Sequence, residues 1–458
     1  HDNNNAPDRI VDTAVITLNN TSPGLGLFFN TTHGSTRNET IGRIVLGAGH
    51  NVVAANNSGG AFFANLISGA ASGSNLTRTN KATTLVVGRN LGGLAYGTVT
   101  APDRGGRISF TNAITGTDAA VGGAGADGTS WANIFPYMIG QATSGTPDLT
   151  DVGNSFVRLS TNGLRPLSTA AADGEYVFES AGFNVMSAST ANNVRFTATP
   201  GATLNASGMT LRTINSLVID STSAAVTVTG PGADSLALTS GALLSTGLAA
   251  NNTSLTGFAG ITTATNSEYI FFVTNNQLTL GSPLTTVAAA LTKSGAGAMI
   301  LNGLTTNAYT GGTFVNNGGL VVSSTGGVIP LATDATKGLV VSGSWQNPGQ
   351  FQAYRADSIA LGNEVTINAN GSVLLFGDNT LQKLTFNNTG SNATGFLRTF
   401  AVNSATGAGS RGVLTIGSGG VVATSSNVTS LSVIEGRVDF GANPNVIDVA
   451  PVSGGGFA

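Results

Sequence analysis

The sequence predicts an all-β protein wound as a right-handed parallel β-helix (a β-solenoid), with an irregular β-rich part near the N-terminus. Three observations predict it. Short runs of Val, Ile, Leu, Thr and Phe recur along 458 residues, divided by Gly, Asn, Ser and Thr turns. Similar runs begin near 216, 235, 277, 298, 319 and 338, and most gaps are about 19 to 22 residues, the spacing of a stacked coil. The helical stretches that alternate with strands in α/β enzymes are missing. Antiparallel β-sandwiches also have short strands and frequent turns, but favour longer strands and strictly placed two-residue hairpins. After residue 200 the coil is the reading taken.

Residues 1–8 read as a polar tail and "RIVDTAVITL" (9–18) as a strand with no neighbour close in sequence, so residues 1–20 are a candidate subunit-contact element. Residues 21–130 are expected to be β-rich only, with strands at "GRIVLG" (42–47), "TTLVVG" (83–88) and "RISF" (107–110). From 131 to 458 the coil is expected. Its strands include "NSLVID" (215–220), "AVTVTG" (225–230), "EYIFFV" (268–273), "QLTLG" (277–281), "SVLLFG" (372–377) and "LSVIEGRVDF" (431–440). Short helix is expected only at 129–140 and 355–362. In such a coil inward side chains stack as apolar ladders, and outward Thr, Ser and Asn stack as polar ones. Corners need backbone freedom, which accounts for 64 glycines.

Composition narrows the partners. Charged residues are 9%, against about 25% in ordinary soluble domains. Net charge is −3 and Lys occurs only at 81, 293, 337 and 383, so no nucleic-acid partner is expected. A surface wetted by hydroxyls and amides fits an extracellular or cell-surface protein. With no Cys, disulfides and thiolate chemistry are excluded. No apolar run reaches the ~18 residues of a membrane-spanning helix. The opening "HDNNNAPDRI" reads as a processed chain or a fragment.

Residues 290–324 contain "LTKSGAGAMILNG" and then "NAYTGGTFVNNGGLVV". Nearly every position resembles the autotransporter-associated β-strand repeat: Leu-Thr-Lys, Gly-x-Gly, an apolar triplet, Asn-x-Tyr-Thr-Gly-Gly-Thr and Gly-x-Leu-x-Val. The style of "NIFPYMIG" (133–140), "NGLRPL" (162–167) and "INSLVID" (214–220) is similar to that of large secreted proteins carrying such repeats. The resemblance implies a bacterial surface protein with a β-helical body and implies no catalysis. Only one copy of the repeat is well formed, and no run of long amphipathic strands suits an outer-membrane barrel.

"GGAGADGTS" (122–130) approaches a calcium-roll nonapeptide with Asp127 as ligand, and holds Gly123-x-Gly125-x-x-Gly128. Calcium rolls need tandem copies, and a nucleotide loop needs a preceding strand and a following helix. A flexible surface loop is expected instead. His1, His33 and His50 lie in tail or turn contexts. Asp173, Glu175 and Glu179 place two acids on one side of a strand, the pairing glycosidases use, with Arg158, Arg165 and Arg195 near enough to neutralise them. Trp131 and Trp345 are too scattered to mark a sugar groove. No catalytic, cofactor or metal residue is assigned, and no enzyme is expected. The functional expectation is a structural extracellular subunit of a fibre, filament or sheath that self-associates by strand stacking or donation, since neither end of the chain reads as a charged cap. The alternatives are an adhesin or glycan-binding surface protein and, third, a polysaccharide-degrading enzyme using Glu175 and Glu179.

Overall fold

The computed structural model describes residues 10–19, 26–31, 35–57, 62–69, 73–92, 105–143, 153–179, 191–197, 203–205, 212–264, 268–343, 348–388, 395–399, 412–425, 431–441 and 446–450. Among these the protein is built of β-strands and short 3-10 turns, with no α-helix. The chain divides into two compact units. The first comprises 1–178, 188–195 and 214–218, and the second 179–187, 196–213 and 219–458.

The first unit is already coiled. Val15–Asn19, Leu27–Thr31 and Arg37–Ile41 form one rung. They pair in parallel with Arg43–Ala48, His50–Asn57 and Phe63–Ser68. Those strands pair in turn with Leu76–Arg78, Thr83–Arg89 and Gly105–Phe110. The region before 130 is β-rich as expected, and its strands are in addition wound as parallel rungs. The rungs were hidden because their corners differ in length, not because strands were lacking. Nor does the coil break at 130: Phe135–Thr143 pairs in parallel with Thr83–Arg89. This strand and the non-helical 355–362 segment also replace the two short helices expected from sequence. Ser155–Ser160 and Gly163–Pro166 then close the sheet as an antiparallel hairpin.

The second unit is the parallel coil that the sequence predicts. One sheet runs from Ser235–Gly247 through Glu268–Val273, Ala290–Ser294, Thr313–Val315, Leu339–Gly343, Glu364–Ala369, Lys383–Asn388 and Val421–Ser425 to Ile447–Val449. A ten-stranded sheet includes Val226–Thr229, Thr253–Thr256, Gln277–Leu280, Ala298–Leu301, Gly318–Val322, Gly349–Ala353 and Ser372–Leu375, and ends at Ser432–Glu435. The third side is discontinuous: isolated bridges join Ile261 to Leu284 and Ile329 to Ile359, and later come the strands Asn379–Leu381, Val413–Ile416 and Arg437–Asp439.

Register makes the interior. In the ten-stranded sheet Val226, Thr253, Leu278, Met299, Leu320, Phe351 and Val373 lie directly over one another. All seven are buried, while the residues that follow them, Thr227 to Leu374, are half-exposed. Alternation is therefore clean on this sheet, as expected where one face meets solvent. In the other long sheet every residue of Glu268–Val273, Ala290–Ser294 and Thr313–Val315 is buried. Both faces are covered there, so "EYIFFV" reads as a continuous apolar run.

Candidate functional site

The acidic candidates are drawn together by the hairpin of the first unit. Arg165 sits on its return strand and makes a fork to Glu175: Nη1 donates to Oε2 at 2.7 Å, and Nη2 donates to Oε1. Two backbone amides complete the carboxylate's shell, from Gly128 at 3.0 Å and Ser168 at 2.7 Å. Glu175 is only 2% exposed. Burial opposes its charge, yet hydrogen bonds from Arg165, Gly128 and Ser168 outweigh that and bring its pKa to about 2. A carboxylate with that pKa and that shell is a structural anion, far from the poise of a general acid.

Asp127 extends the cluster. It accepts from Arg165 Nη2 at 2.7 Å, and Arg158 Nε stands 3.2 Å away. Two guanidiniums against one carboxylate oppose a calcium ion at this position. Asp173 accepts from Ser168 Oγ rather than facing Glu175. Arg195 donates to Asn154 O at 2.9 Å and lies over the Tyr176 ring. The Glu179 side chain lies outside the described residues.

The glycine-rich stretch is more ordered than a flexible loop. An antiparallel bridge between Val121 and Ile134 closes it. Gly125 N–H donates to Trp131 O at 3.2 Å, and a Cβ at Gly123 or Gly125 would collide with Trp131. Its glycines serve close packing, and no helix follows to hold a nucleotide phosphate. His50 is corrected as well: it opens a strand, is buried, and sits 2.9 Å from Thr83 Oγ1 through Nδ1. His1, His33 and Trp345 lie outside the described residues, and Trp131 is exposed. Among the described residues no group of three His, Cys, Asp or Glu is placed to hold a metal.

The repeat-like stretch holds the feature that sequence reading missed. Lys293 lies on an inward column, between Phe271 and Val315 in register. It is 0% exposed. Its ammonium donates to three turn carbonyls: Gly295 O, Gly297 O at 2.5 Å and Asn317 O at 2.7 Å. The Leu-Thr-Lys and Asn-Asn-Gly-Gly segments thus meet at one corner, with the lysine tying two successive coils. Its isolation in a strand otherwise free of charge was the available signal.

On the first rung of the first unit, Glu39 occupies an inward column beside Leu66 and accepts from Ile10 N–H at 2.8 Å. This carboxylate is 5% exposed. On the last described rung of the second unit, three sheets end together: Ser432–Glu435, Arg437–Asp439 and Ile447–Val449. Inward register is kept, since Ile447 follows Leu384 and Val421, and Val449 follows Phe386 and Ala423. Yet Ile447 is 62% and Val449 69% exposed. The charges Glu435, Arg437, Asp439 and Asp448 take the alternate, outward positions. Compared with known proteins, the chain matches no family model, no curated protein and no solved structure.

Proposed function

We propose that this chain is a structural extracellular protein, a subunit or segment of a bacterial surface filament or sheath that assembles by β-strand stacking. One observation carries the reading. Ile447 and Val449 keep the inward register of Leu384 and Phe386 yet are exposed, which makes an apolar patch along a parallel strand. A strand edge beside such a patch is a template for a further strand. Parallel pairing there needs the complementary strand edge of another copy, not the same edge. Such a contact joins two different surfaces and propagates, which favours a filament over a closed dimer. The acidic cluster supports a scaffold in place of an enzyme, because Glu175 is spent on Arg165 and two amides. The autotransporter-like repeat supports the surface location.

The test is electron microscopy and sedimentation of the purified chain beside the double variant Ile447→Asp, Val449→Asp. Filaments or large species are expected from the first and dispersed particles from the second. Dispersed particles from both, or assembly that survives the substitutions, would overturn the reading.

A further inference from the structure

Tyr354 and Phe376 each follow a strand of the ten-stranded sheet, and those strands pair with Ala353 opposite Leu375. The two rings therefore fall one coil apart and stack, with centroids 4.6 Å apart and planes 10° from parallel. This pair is not core. Phe351, Ala353, Val373 and Leu375 fill the interior at this level, while Tyr354 is 48% exposed. On the other side of the Tyr354 ring, one coil back, the register brings Ser323, which follows Val322 opposite Ala353. The side chain there is small, and Tyr354 keeps about half of its surface exposed. The Ser323 hydroxyl donates to Asn302 Oδ1 at 3.1 Å, and Asn302 is exposed.

The ring is also held in place. Tyr354 Oη donates to Gln352 Oε1 at 3.0 Å, Gln352 donates to Gln350, and Gln350 donates to Ser372 Oγ at 3.4 Å. A fixed aromatic that loses little entropy on contact, beside a row of amides, is how rigid recognition surfaces are built. The outward positions of this sheet from Gln277 to Leu374 carry no charge.

We propose that Tyr354, with Gln352 on its own rung and Ser323 and Asn302 behind it, forms a binding subsite for a neutral polysaccharide. A pyranose ring offers a flat C–H face to the exposed surface of Tyr354 and a rim of hydroxyls to the amides and Ser323. Several sugars of one chain can cross the uncharged outward strand positions together, and the exposed Arg355 and Asp357 that follow Tyr354 are of opposite sign, so the edge offers an acidic polymer no net positive charge. This goes beyond filament assembly and does not rest on it.

The test is native affinity electrophoresis of the whole chain through gels containing mixed-linkage β-glucan, galactomannan or soluble starch, with polygalacturonate as the acidic probe. Retardation by at least one neutral polymer is expected. Tyr354→Ala should weaken it about tenfold and Tyr354→Phe about threefold, the first equal to about 1.4 kcal/mol of binding. Leu304→Ala, which removes an apolar side chain 86% exposed elsewhere, should leave it unchanged. Thermal melting of Tyr354→Ala should match the native protein. No retardation by any neutral polymer, retardation equal in Tyr354→Ala, or preference for polygalacturonate would overturn the proposal. Repeating the gel with Ile447→Asp, Val449→Asp separates a failure of binding from a failure of assembly.

Discussion

At the scale of single residues, two buried ions organise their surroundings in opposite ways. Lys293 donates to the carbonyls of Gly295, Gly297 and Asn317, whose dipoles share its charge at one corner. Lys293→Met keeps the stem and removes the donors, leaving carbonyls buried without them. A loss of about 3 kcal/mol is expected, read as a lower melting temperature of the second unit. Glu175 answers to pH. Its ordinary value is 4.5 and its folded value about 2, so the folded state favours the carboxylate. The stabilisation is complete above pH 4.5 and drains away as pH falls toward 2. Glu175→Gln should therefore cost about 3 kcal/mol at neutral pH and progressively less below 4.5, as denaturant titrations across that range will show. Of these sites the sequence disclosed the arginine–acid company of Glu175, because Arg158 and Arg165 stand near it in the chain. The inward direction of Lys293 was not legible, since no local pattern says which side of a coil a strand residue faces until the register is known.

At the scale of elements, strands were easy to find and their stacking order was not. Gln277, Ala298 and Gly319 are successive rungs of one sheet, so this part of the 19-to-22 spacing is a true coil period. The runs near 216 and 338 lie in the other long sheet, and the run at 235 begins on the third side. The runs resemble a single series because every side of the coil uses the same β-branched vocabulary. Corner length varies too: Glu364 pairs with Lys383, whereas Gly395 pairs with Ser432. What fixes the corners is local chemistry. Asn307, Asn363 and Asn379 each accept a backbone N–H at 2.9 Å from a residue earlier in the chain, Leu284, Ala332 and Ser358. Gly318 has φ +63°, and a Cβ there would meet Gly295 O and Gly297 O at 2.4 Å and Lys293 Nζ at 2.6 Å. Gly318→Ala combines a left-handed backbone with that collision. We expect it to cost about 2 kcal/mol or more, whereas Gly232→Ala, also at positive φ but in open space, should cost about 1. Paired melting curves of the two variants will separate strain from crowding.

At the scale of the whole molecule, charge and cohesion predict how assembly responds to its medium. Only 41 of 458 side chains are Lys, Arg, Asp or Glu, 19 positive and 22 negative, so long-range repulsion between copies is slight. The surface proposed to propagate a filament is apolar at its centre, with Ile447 and Val449, and carries a few charges of both signs at its rim. If the contact is strand pairing over an apolar patch, screening should matter little and excluded salts should matter more. The concentration at which large species appear in sedimentation is therefore expected to change less than about threefold between roughly 0.05 and 0.5 M sodium chloride. It should fall on adding sodium sulfate and rise with urea. A steep rise with sodium chloride would instead assign the contact to Glu435, Arg437, Asp439 and Asp448 and remove the apolar patch from the mechanism. That outcome would be distinguishable from a general loss of folding, because the buried ions Lys293 and Glu175 are screened far less than surface charges and the melting temperature would stay nearly fixed.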